Sequence, residues 1–198
     1  MLPLFHDFTG KRVVIFGGGA VAARKAAYFA PEAHVIVVSI TFHERFSTLE
    51  CDQIRLEITP ERAEPFVTDA FLVIPATDDA SLNDALATNA ETAGALVNRV
   101  DQVGQTVTPS LIETETVAVA IATGGQSPAV SKYLRRQLEP EVGRVDPMVR
   151  LQARLRTELD DRPDRRQRLW DILEDERVWA ALENDNFARA ERLAREHC

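Results

Sequence analysis

The stretch of residues 12–25 constrains the fold more than any other part of this chain. Residues 13–16 (Val-Val-Ile-Phe) form a continuous apolar run of strand-forming side chains, too short for a helix. Three glycines, Gly17, Gly18 and Gly19, follow this run, and from Ala20 the composition changes to alanine-rich helix formers. The stretch therefore predicts a buried strand, a glycine turn and a helix, which together form the first unit of an α/β fold.

The spacing of the small residues in this turn points to a nucleotide. Gly17-x-Gly19-x-x-Ala22 fits the dinucleotide fingerprint in its G-x-G-x-x-A form. Gly17 permits the tight turn, Gly19 lets a pyrophosphate approach the backbone, and Ala22 lets the helix pack on the strand. The alternative is a glycine turn in an α/β protein that binds no nucleotide. We favour the nucleotide because a strand precedes the turn and a helix, whose first N–H groups attract phosphate, follows it.

Further strands and helices alternate after this unit. Buried strands are predicted at residues 34–39, 70–74 and 96–98, and a strand nearer the sheet edge at residues 54–58. This alternation predicts a doubly wound parallel sheet of the Rossmann type, in which ligands bind outside the carboxyl ends of the strands. We therefore expect the glycine turn, Thr77 and Asp101 to meet in one crevice.

The end of the second strand lacks the carboxylate that NAD enzymes often place there for the adenosine ribose. Residues 39–41 are Ser-Ile-Thr instead, and Ser39 or Thr41 is expected to bond the ribose hydroxyls. The choice between NAD and NADP stays open on this pattern. For His43 and Arg45, which follow closely, a solvated helix face is favoured over a 2′-phosphate site.

Several polar residues near the predicted crevice have a structural alternative. Thr77 or Asp78 is expected to cap the helix predicted at residues 81–93, and capping alone is favoured for Asp79. Asp101 follows the fifth strand, where a carboxylate can act as a general base. A solvated turn acid before Gly104 explains Asp101 equally well.

The second half of the chain contains another glycine turn. A strand of small and branched residues at 116–123 runs into Gly124 and Gly125, and a helix is predicted at 129–138. Ser127 is at least as well explained as the cap of that helix as by catalysis, since Pro128 suits the first helical position. From residue 141 apolar residues recur at helical spacing, which predicts a small helical domain.

Composition limits the partners of the chain. Its 198 residues carry a formal net charge of −8, which argues against non-specific nucleic-acid binding and against an anionic membrane surface. No apolar run approaches transmembrane length and the N-terminus has no signal-peptide pattern, so a cytoplasmic location is expected. The scattered histidines and the two distant cysteines indicate no metal site.

Taken in order, the motifs resemble the siroheme synthase N-terminal module, the precorrin-2 dehydrogenase and sirohydrochlorin ferrochelatase family. The resemblance covers essentially the whole chain. The matching motifs are Gly17-Gly18-Gly19-x-Val21-Ala22-x-Arg24-Lys25, Thr41-Phe42, Ala76-Thr77-Asp78-Asp79 with Leu82-Asn83, Asn98-x-Val100-Asp101, Pro109-Ser110, Gly124-Gly125-x-Ser127-Pro128 and Leu134-Arg135-x-x-Leu138-Glu139. The sequence departs from the family's usual pattern at Ser39, Arg99 and Thr108.

The resemblance implies an architecture and an activity. The architecture is an NAD-binding Rossmann domain at residues 1–112, a dimerisation segment at 113–145 and a helical domain at 146–198, assembled as a homodimer. The activity is NAD-dependent oxidation of precorrin-2 to sirohydrochlorin, and some members also insert ferrous iron to give siroheme. The uroporphyrinogen methyltransferase that some relatives carry after this module is expected to be absent, since the sequence ends at Cys198.

The resemblance also implies roles for particular residues. Asp101 looks like the catalytic aspartate of the family. The residues implied to contact NAD are Ala20, Val21, Ile40 and Thr41, and the fingerprint and the expected crevice add Gly17, Gly18, Gly19 and Thr77. Those implied to line the tetrapyrrole pocket are Asn98, Gly124, Gly125 and Ser127.

Two alternative functions stay open at this point. The first is a dehydrogenase that leaves iron insertion to a separate chelatase. The second is a non-catalytic NAD-binding redox sensor with a dimerising tail. The acidic composition and the lack of a helix-turn-helix pattern with a basic recognition helix count against a sensor that binds DNA.

Overall fold

A computed structural model describes residues 3–100, 106–160 and 162–198 of the chain. The chain divides into two compact units, residues 1–108 and residues 109–198. In the described residues, no helix is both long enough and apolar enough to cross a membrane.

The first unit is built on a five-stranded parallel sheet with the order β3-β2-β1-β4-β5. Its strands are β1 (Arg12–Phe16), β2 (His34–Ser39), β3 (Asp52–Arg55), β4 (Leu72–Pro75) and β5 (Leu96–Val97). Its helices are α1 (Ala20–Phe29), α2 (Pro60–Val67) and α3 (Ala80–Thr92), and a 3₁₀-helix spans Glu44–Thr48. This is the Rossmann-type α/β fold that the sequence predicts, and the strand order reverses between β1 and β4.

The central strand β1 is buried on both faces of the sheet. Val14 and Phe16 pack in a cluster with residues of α2 and α3, whereas Val13 and Ile15 pack with α1. All four side chains are fully buried. A parallel sheet covered on both faces requires such a continuous apolar run, and this run therefore fixes β1 at the middle of the sheet.

Two elements of this unit differ from the sequence prediction. α2 lies between β3 and β4, although Pro65 inside it argues against a helix by pattern alone. Its start is well defined, because Thr59 caps it and Pro60 occupies the first turn. β3 does lie at the sheet edge, but it begins at Asp52, where the pairing of Ile36 with Asp52 sets its register.

The second unit combines a hairpin with a group of helices. The hairpin pairs β6 (Ser110–Glu113) with β7 (Ala118–Ile121) antiparallel. The helices are α4 (Pro128–Gly143), α5 (Asp146–Glu158), α6 (Arg165–Glu174), α7 (Glu176–Glu183) and α8 (Phe187–Ala194), followed by a 3₁₀-turn at Arg195–His197. Helices α5 to α8 share an apolar core that includes Met148, Leu151, Leu155 and Ile172.

Candidate nucleotide-binding site

The glycine turn after β1 is held between the ends of the two neighbouring strands. The Gly17 N–H donates to the Val38 carbonyl at 2.9 Å, and the Ala76 N–H donates to the Phe16 carbonyl at 2.7 Å. Gly17 has a φ of +113°, and a Cβ added to it would lie 2.4 Å from the Ala76 carbonyl oxygen. Both the backbone angle and the close approach therefore require glycine at position 17.

The next two glycines face different surroundings. A Cβ on Gly18 would lie 1.9 Å from the Thr41 carbonyl oxygen and 2.9 Å from the Ser39 Oγ. Gly18 is thus needed for packing against the end of β2, a role that the spacing of the fingerprint does not indicate. No heavy atom of the described residues lies within 4 Å of a Cβ on Gly19, which is exposed. The open side of the turn is therefore at Gly19, where the fingerprint expects pyrophosphate.

The amino terminus of α1 lies directly beside this open side. Gly19 is its N-cap, and in the described part of the chain no side chain accepts a hydrogen bond there. The first turn, which begins with Ala20 and Val21, contains no acidic residue, and both side chains are exposed. Uncapped backbone N–H groups and the positive end of the helix dipole favour an anion, and a phosphate group fits these residues.

The end of β2 supplies a second wall of this region. Ser39 is buried under Gly18. Thr41 is exposed, and 62% of the surface of Ile40 is accessible to solvent. The His43 N–H donates to the Gly18 carbonyl at 2.7 Å and ties this segment to the turn. Of the two hydroxyls expected near the ribose, only that of Thr41 is accessible.

Thr77 follows β4 and is held by a buried amide. Its N–H donates to the Asn83 Oδ1 at 3.1 Å and its hydroxyl donates to the same oxygen at 2.8 Å. The Asn83 Nδ2 donates back to the Thr77 carbonyl at 3.0 Å. Thr77 thus lies at the carboxyl end of β4, beside the glycine turn, but its hydroxyl is already engaged within the protein.

The prediction that Thr77 or Asp78 caps α3 is wrong. Asp79 is the N-cap, and its Oδ1 accepts from the N–H groups of Ser81 at 2.9 Å and Leu82 at 3.1 Å. The Ser81 hydroxyl donates to the same carboxylate, and these hydrogen bonds lower the pKa of Asp79. The capping interpretation for Asp79 therefore holds. The Thr77 hydroxyl donates to Asn83 and accepts from the Asp79 N–H at 3.3 Å, rather than from an N–H group of the first turn of α3.

At the carboxyl end of β5, Asn98 is bound to a lysine of α1. The Lys25 Nζ donates to the Asn98 Oδ1 at 2.7 Å and to the Thr108 Oγ1 at 2.6 Å. Burial, and after it the charge of Arg24, lowers the pKa of Lys25 to about 8. Sequence reasoning missed this role, although Lys25 lies on the buried alanine face of α1 with Ala22 and Ala26. Asp101, the predicted catalytic residue, lies outside the described residues.

The second glycine turn lies in the second unit. Gly124 and Gly125 have φ values of +61° and +80° and are exposed. Ser127 caps α4 by accepting from the Val130 N–H at 3.4 Å, while its own N–H donates to the Thr123 Oγ1 at 3.2 Å. The structure thus contains the capping role that the sequence indicates for Ser127. Among the described residues, no group of three or more His, Cys, Asp or Glu side chains is placed to hold a metal.

The protein is of the Rossmann-type dinucleotide-binding class. Three features define this class here: the strand order, the glycine turn where that order reverses, and the uncapped helix beside the turn. Residues 4–110 match the family described as putative NAD(P)-binding. The chain is 39% identical over 206 residues to the precorrin-2 dehydrogenase of Methanosarcina barkeri, an alignment that covers 96% of this chain and 91% of that protein. The chain belongs to the precorrin-2 dehydrogenase family.

Two further comparisons agree with this assignment. The chain is 34% identical over 202 residues to a siroheme synthase of Actinobacillus pleuropneumoniae, which covers 97% of this chain but only 41% of that protein. The solved structure of SirC, a precorrin-2 dehydrogenase, superposes with a TM-score of 0.77 at 20% sequence identity. That match covers 99% of this chain and all of SirC, and it establishes the fold.

Proposed function

We propose that this protein is an NAD-dependent precorrin-2 dehydrogenase that forms sirohydrochlorin in siroheme biosynthesis. The observation that carries the proposal is the 39% identity with the Methanosarcina barkeri enzyme over nearly the full length of both chains. The glycine turn adds physical support, since its open side and uncapped helix suit a pyrophosphate.

The cofactor site is proposed to lie at the carboxyl ends of the parallel strands. The backbone N–H groups of Ala20 and Val21 bind the pyrophosphate above Gly19, and Gly17 and Gly18 hold the turn open for it. Ile40 and Thr41 border the adenosine ribose at the end of β2, where residues 39–41 are Ser-Ile-Thr and contain no carboxylate to select NAD. NAD, when bound, supplies the acceptor for the hydride.

Asp101 is proposed as the base of the reaction. Oxidising precorrin-2 removes a hydride and a proton, and the proton needs an acceptor close to the macrocycle. A carboxylate after the carboxyl end of β5 suits this role. The assignment rests on the family's motif Asn98-x-Val100-Asp101.

Insertion of ferrous iron is a second candidate function, with the iron as substrate. It is supported by the 34% identity to a siroheme synthase across 97% of this chain. Because that alignment covers 41% of the relative, its name alone does not assign iron insertion to these residues. A dehydrogenase without chelatase activity and a redox sensor are the competing alternatives.

A homodimer is proposed through residues 113–145, and a cytoplasmic location is proposed for it. Within residues 128–143, all of which the structure describes, Ser131 is the only buried residue of α4. Four apolar side chains on the helix stay exposed: Val130, Tyr133, Leu134 and Leu138. An apolar face of this kind, next to a two-stranded sheet, favours a second copy as its cover.

One anaerobic experiment separates these functions. The protein is mixed with NAD and precorrin-2, and the absorption spectrum is followed before and after ferrous iron is added. We expect sirohydrochlorin and NADH to appear together before the iron. Faster siroheme formation than in a protein-free control identifies a chelatase, and an unaccelerated iron step identifies a dehydrogenase alone. A spectrum that does not change with NAD contradicts the proposed enzyme and favours the sensor.

A further inference from the structure

A buried lysine joins three separate segments of the first unit. The Lys25 Nζ, on α1, donates to Asn98 at the end of β5 and to Thr108, at 2.7 and 2.6 Å. The Asn98 Nδ2 donates to the Thr106 carbonyl at 2.9 Å, and the Thr106 hydroxyl donates to the Val97 carbonyl at 3.0 Å. We call Lys25, Asn98, Thr106 and Thr108 the lysine clasp.

The lysine clasp holds together the two ends of one chain segment. Asn98 precedes residues 99–105, and Thr106 and Thr108 follow them. Asn98 is 2% exposed and Lys25 is 9% exposed, so water cannot readily replace these bonds. The two ends are hydrogen-bonded directly to each other, and the single Lys25 side chain anchors both of them to α1.

The charge of Lys25 is costly at this position. The acceptors that the described residues offer its ammonium are neutral, an amide oxygen and a hydroxyl. A buried cation without a carboxylate partner is held at the expense of its hydration, and an apolar side chain would pack against Ala22 and Ala26 without that cost. Core packing alone therefore does not explain a lysine here, whereas fixing two polar acceptors at one point does.

We propose that Lys25 is a positioning residue for the dehydrogenation, which fixes the end of β5 and residues 106–108 relative to α1. This inference rests on the proposed function. The first turn of α1 is proposed to bind the cofactor pyrophosphate, and Lys25 lies on the same helix one turn further along. The clasp thus links the helix proposed to hold the cofactor to the end of β5, which the proposed base Asp101 follows in the sequence, and we expect the alignment of these two elements to affect the rate.

The test compares Lys25→Met, which removes the ammonium, with Lys25→Arg, which keeps a cation. We expect Lys25→Met to lower kcat on the order of 100-fold, which is the typical effect of displacing a reacting group by about 1 Å. We expect its NAD affinity to stay within about threefold of wild type. Lys25→Arg is expected to restore part of kcat. The matched control is Val67→Ala, which creates a cavity at the end of α2, in the core cluster on the other face of the sheet from α1.

The pH profile provides a readout that a purely structural role does not move. The group acting on the Lys25 charge from its own helix is Arg24, and the groups facing it from the other two segments are the neutral Asn98 and Thr108. Since the pKa of Lys25 is about 8, we expect wild-type kcat to fall above that pH, because the neutral amine forms weaker hydrogen bonds to Asn98 and Thr108 than the ammonium does. Lys25→Arg should move this alkaline limb to higher pH.

The outcomes are distinct. An active wild type whose Lys25→Met variant keeps kcat, or loses it only in proportion to the unfolded fraction as Val67→Ala does, overturns the inference alone. An alkaline limb that is unchanged in Lys25→Arg also overturns it. A wild type that binds NAD but does not oxidise precorrin-2 overturns the proposed function, and the inference with it.

Discussion

The α-carbon of Gly17 faces the carbonyl oxygen of Ala76 so closely that a Cβ on Gly17 would lie 2.4 Å from that oxygen. These residues follow β1 and β4, the two neighbouring strands between which the strand order reverses. Nucleotides bind at this point in doubly wound sheets, because the loops after the two strands diverge to opposite faces. The close approach of Gly17 to Ala76 thus leaves no room for a side chain at position 17.

Gly17→Ala should therefore destabilise the first unit. The left-handed φ of +113° and the contact with Ala76 both oppose an alanine. The control is Gly10→Ala, where φ is +70° but no described atom lies within 4 Å of the new Cβ. We expect Gly17→Ala to lose about 1–3 kcal/mol more free energy of unfolding in urea than Gly10→Ala. Equal losses would show that the turn relaxes freely.

Gly19→Val should weaken cofactor binding and leave the fold intact. The φ of Gly19 is −78°, which any residue adopts, and its surroundings among the described residues are open. A branched side chain there would occupy the proposed place of the pyrophosphate. We expect at least a roughly tenfold loss of NAD affinity by calorimetry, about 1.4 kcal/mol, with an unchanged circular dichroism spectrum. Unchanged NAD affinity would contradict the assignment of the cofactor to this turn.

Asp101→Asn should slow the oxidation of precorrin-2 without weakening NAD binding. The amide keeps the size of the side chain and removes the proposed base. Loss of a general base typically lowers kcat on the order of 10²–10⁴-fold. The measurement is NADH formation under anaerobic conditions, with NAD affinity as the control. A near wild-type rate would show that Asp101 is not the base. If the variant lost the oxidation but kept iron insertion, the two reactions would use different groups.

Asp146 should stabilise the second unit in a pH-dependent way. Its carboxylate accepts from the Thr116 hydroxyl, from the Thr114 hydroxyl at 2.8 Å and from two backbone N–H groups at 3.0 Å. Led by the Thr116 hydroxyl, these bonds lower its pKa from 3.8 to about 2. A carboxyl whose pKa is lowered by folding contributes stability above its unfolded pKa. This contribution is therefore complete above about pH 4 and lost as the pH falls to about 2.

Acid unfolding of Asp146→Asn tests this prediction. We expect the variant to be less stable than wild type at pH 7, with the difference shrinking between pH 4 and pH 2. Asp185→Asn is the control, since it removes an exposed carboxylate of the same unit at a φ of 52° that asparagine tolerates. If the difference in the free energy of unfolding between wild type and Asp146→Asn did not change with pH, the ionised carboxylate would not be the cause of that difference.

Tyr133→Glu should shift the proposed homodimer towards monomer. Tyr133 is 61% exposed on α4 beside Leu134, and a charge buried at a dimer interface there would lack a partner. Lys132→Glu is the control, because helical geometry places Lys132 on a different face of α4. Sedimentation at micromolar concentration should show a dimer for wild type and for the control. A wild-type monomer would contradict the proposed assembly.

Local pattern predicted much of the first unit. The apolar run of β1, the glycine turn and the start of α1 were evident because each depends on neighbouring residues. β2 was predicted with its observed bounds for the same reason. α2 was missed, because its interior Pro65 weakens the helical pattern and packing against the sheet restores it. The edge position of β3 was predicted, but its register depends on pairing with β2.

The sequence by itself determined the alternating elements and the family, because both are carried by residues close in the chain or by motifs in fixed order. Only the tertiary structure decided which polar atoms meet. It assigned Gly18 to packing against Thr41, Thr77 to Asn83 and Lys25 to Asn98. The Lys25–Asn98 contact joins residues 73 positions apart, and the spacing of residues along a chain does not determine which of several distant acceptors a buried donor reaches.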